Sequence, residues 1–185
     1  MERKSLISVV IPTYRRSEKL KLAIKSILDQ NYSVFEILVV NDDHKDESVQ
    51  KVIDKLCDNR IKYFTNKRTK GPCGARNTGI LNAKGEIVAF LDDDDLWLPD
   101  RMNEINKVFL KPNVTGVVSE YKTIYKNKVK DVLLRNHDKV LENYLIDKFS
   151  LVCGSNLVLS SEVINKIGLF DEELIRQEDT EYMVR

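Results

Sequence analysis

Cysteine is scarce in this chain. Cys57, Cys73 and Cys153 are the only three among 185 residues, widely separated and without a CxxC pair. An odd, dispersed set excludes a disulfide framework and a zinc ribbon, and suits a reducing, cytoplasmic setting. Histidine is scarcer still: His44 and His137 stand alone and read as surface residues. No apolar run approaches the ~18 residues of a membrane span. The N-terminal run Leu6–Ile11 is interrupted by Ser8 and ended by Pro12, too short for a signal peptide. Loose peripheral association at the inner face of a membrane, or an anchor elsewhere, stays open. Charge of one sign is also lacking: 30 Lys and Arg face 29 Asp and Glu, a net charge of +1. That balance gives no electrostatic case for a nucleic acid partner. Neither GxGxxG nor GxxxxGK[ST] occurs, so dinucleotide and P-loop motifs are absent.

What is present is an alternation of short β-branched runs with helical patterns, at a length suited to one domain. Leu6–Ile11 and Phe35–Val40 read as buried strands, Ile61–Phe64 as a short one, and Glu86–Leu91 as another. Pro12 is expected to stop the first strand. Ser17 is expected to cap a helix with Leu20, Ala23, Ile24, Ile27 and Leu28 on one face, and Asp46 a second helix with Val49, Val52, Ile53 and Leu56. Gly74–Ala83 reads as a short helix. In the second half Pro99 suits the first turn of a helix carrying Met102, Ile105, Val108 and Phe109. Val114–Tyr121 is strand-like, and Thr123–Leu134 forms a hairpin turning near Asn127. Val140, Leu141, Tyr144 and Leu145 mark a helix. Asn156–Leu159 is a short strand, followed by a helix over Ser161–Lys166. The last helical pattern stops at Arg185, so the chain reads as cut short at its C-terminus. Alternating strands and helices predict an α/β fold with a mostly parallel central sheet and helices on both faces.

Ligands of such sheets bind beyond the carboxyl ends of the strands, and the unusual residues fall there: Pro12-Thr13-Tyr14, Asn41-Asp42-Asp43, and Asp92-Asp93-Asp94-Asp95. Four adjacent carboxylates repel one another unless a cation relieves them. Mg²⁺ and Mn²⁺ take hard oxygen ligands, commonly one or two carboxylates with phosphate oxygens and water. In an extended segment Asp92 and Asp94 face one side and Asp93 the other. A solvated acidic turn is the plainer alternative. Asp42 or Asp43 can accept bonds from a base or ribose, or merely close a turn. Gly71–Gly79 opens a helix with small residues, where Arg76 either meets a phosphate or forms an ion pair with a strand-end aspartate. Glu178 and Asp179 fall in a second acidic cluster that can supply a general base, or simply a favourable first helical turn. Tyr14 and Trp97 can stack on a base or sugar, or belong to the core. Lys67, Arg68 and Lys70 form a basic loop beside the glycines.

In order along the chain, seven segments resemble family 2 of the inverting glycosyltransferases, which have the GT-A fold. They are Ile7-Ser-Val-Val-Ile-Pro-Thr-Tyr14, Val39-Val-Asn-Asp42, Gly74-Ala-Arg-Asn-Thr-Gly79, Phe90-Leu-Asp-Asp-Asp-Asp-Leu-Trp97, Gly154-Ser-Asn156, Gly168-Leu-Phe-Asp171 and Glu178-Asp179. The first hundred residues match best, and 110–150 match poorly. The resemblance implies a single domain, with a nucleotide-sugar-binding half over 1–97 and an acceptor-side half over 98–185. It implies that Pro12, Thr13, Tyr14 and Asp42 meet the nucleotide, usually uridine, with Arg76 near the base-binding aspartate or the phosphates. It makes Asp92 and Asp94 the DxD pair for Mn²⁺ or Mg²⁺, Asp94 the direct ligand, and sets Asp93 or Asp92 against the ribose. Asp179 becomes the catalytic base, with Glu178 beside it. Family members usually read Asp-Asp-Gly-Ser where this chain has Asn41-Asp42-Asp43-His44, which implies a changed turn. Many relatives also continue into a loop that closes over the donor, a segment with no counterpart here.

The implied reaction transfers a sugar from a nucleotide-diphospho-sugar, a UDP-sugar first, to a hydroxyl of a sugar, glycan or lipid-linked acceptor, with inversion. Two rivals share the pattern. A sugar nucleotidyltransferase needs a glycine-rich loop after the first strand, where this chain has Pro12-Thr13-Tyr14-Arg15-Arg16. A non-catalytic nucleotide-sugar-binding module, or partner of a synthase, would bind without turnover.

Overall fold

The computed structural model describes residues 3–126, 128–132, 153–174 and 176–185. The expected helix at Val140–Leu145, the turn residue Asn127 and His137 lie outside them. Strands β1 (Ile7–Thr13), β2 (Phe35–Asn41), β3 (Ile61–Thr65) and β4 (Ile87–Phe90) alternate with helices α1 (Ser17–Leu28), α2 (Ser48–Leu56) and α3 (Pro72–Asn82). Helix α4 (Arg101–Phe109) and strand β5 (Gly116–Val118) follow, then the hairpin β6 (Tyr121–Tyr125) and β7 (Lys128–Val132). A 3₁₀ turn, Gly154–Asn156, leads into β8 (Leu157–Ser160), helix α5 (Ser161–Ile167) and helix α6 (Glu178–Val184). The main sheet has the order β3-β2-β1-β4-β8-β5. The first four strands are parallel, and β8 runs antiparallel to both β4 and β5. The expected α/β fold with a mostly parallel sheet is the fold observed.

Side-chain alternation along the strands divides the core in two. Ile7, Val9 and Ile11 of β1, with Ile37 and Val39 of β2, pack against Leu20, Ala23, Ile24 and Ile27 of α1 and Met102 and Ile105 of α4. Val10, Leu38, Val88 and Phe90 point the other way, against Cys73 of α3, Ile164 of α5, Phe170 and Tyr182 of α6. Gly79 lets α3 press onto β1, because a Cβ there would sit 2.3 Å from Val10 Cγ1. The Tyr182 ring stacks on Phe170 at 3.8 Å and its hydroxyl donates to the Gly168 carbonyl at 2.8 Å. The C-terminal helix is thus tied to the core.

Four local expectations need correction. Pro12 does not stop β1, which runs to Thr13 with Pro12 opposite Val40. Pairing of β1 with β4 has already ended at Val10–Phe90, so the missing proline N–H breaks no ladder bond. Ser17 does not cap α1: it is the first helical residue, and the Arg16 carbonyl accepts from Leu20 N at 2.9 Å. Pro99 precedes α4 rather than opening it, since the turn residue Asp100 takes a left-handed conformation at φ 64° and forms the boundary. The strand-like stretch Val114–Tyr121 divides into β5 and the start of β6. Asp46 does satisfy the start of α2, accepting from Ser48 N at 2.9 Å. Among the described residues no helix is long and apolar enough to cross a membrane.

Candidate active site

The carboxyl ends of β1, β2 and β4 open onto one cleft of about 630 Å³, lined by Pro12, Thr13, Tyr14, Arg16, Asp42, Lys70, Gly71, Pro72, Ala75, Arg76, Asp92, Asp93 and Asp94. Parallel strands ending at one level bring together residues that lie 80 positions apart in sequence: the buried Thr13 hydroxyl donates to Asp93 Oδ2 at 2.7 Å. Thr13 therefore acts first on the carboxylate beside it.

The four aspartates do not alternate as an extended strand would place them. β4 ends at Phe90, and Asp95 N reaches back to the Asp92 carbonyl at 3.1 Å, so the run is a turn. Asp93 is buried between Thr13 and Arg16, whose Nη1 lies 3.2 Å from Asp93 Oδ1 and 2.9 Å from Asp94 Oδ2. Lys19 adds a longer contact to Asp94 at 3.6 Å. Asp92 points elsewhere, its Oδ1 accepting from Arg76 Nη2 at 2.8 Å. Ser155 braces both ends of the run: its Oγ accepts from Asp92 N at 2.9 Å and donates to Asp95 Oδ2 at 2.5 Å. Arg101, stacked over Trp97 at 5.0 Å, fixes Ser155 in turn by donating to its carbonyl at 3.1 Å and to Ser119 Oγ at 2.6 Å. Burial brings the Arg101 pKa down to about 10. Trp97 is a core residue, whereas Tyr14 is exposed at the cleft with Lys70 4.8 Å from its ring centre.

Arg76 is the electrostatic centre. Its side chain is 4% exposed, yet it meets Asp92, Glu178 Oε1 at 3.1 Å and Asp179 Oδ1 at 3.2 Å. Burial alone would depress its pKa, but the three carboxylates outweigh that and hold it above the ordinary arginine value. The contact with Asp179 Oδ1 is an ion pair without hydrogen-bond geometry, so this oxygen is buried and not hydrogen-bonded. Burial first, with Asp92 and Glu178 adding to it, raises the Asp179 pKa to about 6 against the pull of Arg76 and of the Gly154 N–H. A carboxyl poised near neutrality inside a charged cluster has the character of an acid–base group. Gly154 must lack a side chain, because a Cβ would lie 2.5 Å from Arg76 Nη2 and 2.9 Å from Asp92 Oδ1.

Asp42 lines the same cleft but makes no bond to Arg76. Instead it accepts from Asn66 Nδ2 at 2.5 Å and from Gly71 N at 3.0 Å. The turn after β2 needs no glycine: Asp43 has no positive φ, its N–H donates to Asn41 Oδ1 at 3.0 Å, and its carboxylate holds Arg15 at 2.6 Å.

Sequence reading missed Asn66, Asn77, Glu172, Ser155 as a brace, and Arg16. Asn66 follows β3, the one strand end left unread. Asn77 and Glu172 form a strap. Asn77 bonds both the N–H and the carbonyl of Phe170, at 2.8 and 2.9 Å, and donates to Glu172 Oε1 at 2.7 Å. Glu172 also accepts from Arg68 Nε and from Thr69 N at 3.2 Å. The Arg68 of the basic loop is therefore a structural partner. Burial would raise the Glu172 pKa, but bonds from Asn77, Arg68 and Thr69 bring it down to about 2. A carboxylate depressed on folding stabilises above its ordinary pKa near 4.5, and that contribution is lost as pH falls towards 2. Glu172→Gln is expected to lose about 3 kcal/mol of stability near pH 7. Urea unfolding at pH 7 and again near pH 3 checks this, with the gap shrinking at the lower pH.

Among the described residues, no group of three or more His, Cys, Asp or Glu side chains is arranged to hold a metal ion alone. The donor set at the cleft still suits a hard cation shared with phosphate oxygens: Asp94 is exposed and Asp92 half-buried on the same rim.

Fold and site together define an α/β domain with one cleft ringed by strand-end carboxylates. Residues 8–168 match the profile of Glycosyl transferase family 2, and the chain belongs to that family. It is 32% identical over 174 residues to the UDP-Glc:alpha-D-GlcNAc-diphosphoundecaprenol beta-1,3-glucosyltransferase WfgD of Escherichia coli, covering 94% of this chain and 66% of that protein. It is 46% identical over 102 residues to the GalNAc(5)-diNAcBac-PP-undecaprenol beta-1,3-glucosyltransferase of Campylobacter jejuni, covering 54% of this chain and 33% of that protein. In fold it matches S. aureus TarS 1-349 in complex with UDP-GlcNAc, with a TM-score of 0.75 and 22% identity over 97% of this chain and 52% of the other. It also matches the mannosyltransferase PcManGT from Pyrobaculum calidifontis in complex with GDP-Man and Mn2+, with a TM-score of 0.69 and 21% identity over 97% of this chain and 51% of the other. The fold is that of the GT-A glycosyltransferases. The chain thus spans between a third and two-thirds of the length of these relatives.

Proposed function

We propose that this chain binds a nucleotide-diphospho-sugar, a UDP-sugar first, and transfers the sugar with inversion to a hydroxyl of a lipid-linked sugar acceptor. The observation that carries this reading is the convergence of Asp42, Asp92, Asp93 and Asp94 on one cleft, with Arg76 joining Asp92 to Glu178 and Asp179. The names of the E. coli and C. jejuni relatives favour the lipid-linked acceptor and glucosyl transfer.

In this reading Asp42, held by Asn66 and Gly71, receives the base, and Pro12 and Tyr14 flank it. Thr13 and Arg16 fix Asp93, which faces the ribose. Asp94 with Asp92 would hold Mn²⁺ or Mg²⁺, which when bound neutralises the leaving diphosphate as a Lewis acid. Asp179 takes the proton from the acceptor hydroxyl as it attacks the anomeric carbon from the face opposite the diphosphate. Displacement from that face inverts the centre. Glu178 and Arg76 keep Asp179 oriented and set the pH at which it ionises. Residues 98–185 contribute the acceptor side.

Calorimetric titration of UDP tests the donor site. Binding is expected with Mn²⁺, is expected to disappear with EDTA, and is expected to weaken at least tenfold in Asp94→Asn, which removes one of the one or two carboxylates such an ion uses. Equal binding of UDP with and without metal, or in Asp94→Asn, would refute the metal assignment.

A further inference from the structure

We propose that the β6–β7 hairpin is a membrane-docking element that seats the protein on an anionic lipid surface, with Ile124, Tyr125 and Val129 entering the headgroup region. This supplies the membrane side of the function above and rests on its lipid-linked acceptor.

The hairpin stands outside the main sheet as a two-stranded ribbon of its own. Ile124 is 73% exposed, Tyr125 71% and Val129 61%. Ile124 and Val129 are cross-strand partners and so share one face, while Tyr125 pairs with Lys128 on the other. An isolated two-stranded ribbon is marginal in water without a surface to cover it. Exposed large apolar side chains gathered at one tip mark a contact surface.

Charge says which surface. From Tyr121 to Val132 the chain carries Lys122, Lys126, Lys128 and Lys130 against one acid, Asp131. All four lysines are exposed, and the acid is paired with Lys122 at 3.2 Å, at the end away from the turn. Lys126 and Lys128 flank the turn beside Tyr125. The rest of the chain is almost balanced in charge, so this excess is local. Aliphatic residues and a tyrosine ringed by lysines match an anionic bilayer interface, where the apolar groups enter the headgroup boundary and the lysines meet phosphates.

The hairpin also springs from the right place. Ser119, two residues before Tyr121, accepts from Arg101, and Arg101 holds the Ser155 that braces Asp92 and Asp95. Burial raises the Tyr121 pKa, and Cys153 and Asp95 push it further in that direction. The root of the hairpin is thus linked, through Arg101 and Ser155, to the turn that carries Asp92 and Asp95. A surface gripped by the hairpin would hold a lipid-linked acceptor sugar on the side of the molecule from which that turn is braced.

The test is co-sedimentation of the chain with vesicles of phosphatidylcholine alone and of phosphatidylcholine mixed with phosphatidylglycerol. Binding is expected to the mixed vesicles and to weaken as salt is raised. Lys126→Gln with Lys128→Gln is expected to weaken it about 30-fold, from about fivefold per lysine. Ile124→Ser with Val129→Ser is expected to weaken it about tenfold or more. These side chains are exposed, so circular dichroism should be unchanged, and UDP titration reports the donor site separately. Failure of UDP binding with intact vesicle binding would sink the donor reading and leave the docking element standing. No binding to the mixed vesicles, or binding indifferent to both double variants, overturns the docking element.

Discussion

Asp179→Asn is expected to lower turnover about 10²- to 10⁴-fold, the usual contribution of a positioned base, while leaving donor affinity in place. Asn keeps the shape but cannot accept the acceptor proton. In the parent protein the rate at low substrate should rise with pH up to about 6 and then level off, because Asp179 must be ionised and its pKa is raised to that value. The stability effect has the opposite sign. A carboxyl raised on folding stabilises the protein below its ordinary pKa near 3.8, and this is lost as pH rises through about 6. At neutral pH the buried charge is therefore a burden of about 3 kcal/mol. Asp179→Asn should match or exceed the parent in urea midpoint at pH 7. A variant that is inactive yet at least as stable cannot be dismissed as misfolded. Full turnover in Asp179→Asn would overturn the assignment of the base.

Arg76→Met should have the largest effect on the folded state. It leaves Asp92, Glu178 and Asp179 facing one another without a cation in a buried cluster. Removing one partner of a buried ion pair typically costs about 3–5 kcal/mol, which lowers the melting temperature of a domain this size by roughly 10 °C. The loss should be conditional on the acids. Adding Glu178→Gln and Asp179→Asn to Arg76→Met is expected to recover part of it, a coupling that thermal unfolding of the set measures directly. If the three changes simply add, Arg76 acts by packing rather than by charge.

The catalytic assignment and the fold drew on different amounts of sequence information. Strands β1, β2 and β4 were legible because runs such as Ile7–Ile11 are buried on both faces and carry no alternation to confuse. Helices α1 and α2 were legible from their apolar faces. The cleft followed from the rule that parallel strands end together. What stayed hidden was which side chain grips which. Four consecutive aspartates suggested extended alternation, but the strand stops at Phe90 and the turn sends Asp92 to Arg76 and Asp93 to Thr13. Arg76 read equally as a phosphate ligand or an ion pair; its partners lie 16 and 102 residues away, a fact of topology. Asn66 and Glu172 carry no motif of their own. Asn66 sits at a strand end, where the same reasoning could have found it, whereas Glu172 works only because Asn77 and Arg68 come to meet it.

The strap between Asn77 and Phe170 also bears on the order in which the molecule assembles. These bonds join residues 93 positions apart, and closing so long a loop carries an entropic cost that must be met before the contacts return anything. Strands β1 to β3 pair over far shorter separations and can come together while the chain is still emerging from the ribosome. The loop from Asn66 to Gly71, which fixes Asp42, is braced by Glu172 through Arg68 and Thr69. A nascent chain that has not yet delivered Glu172 therefore has a paired sheet whose Asp42-bearing edge of the cleft is not yet braced.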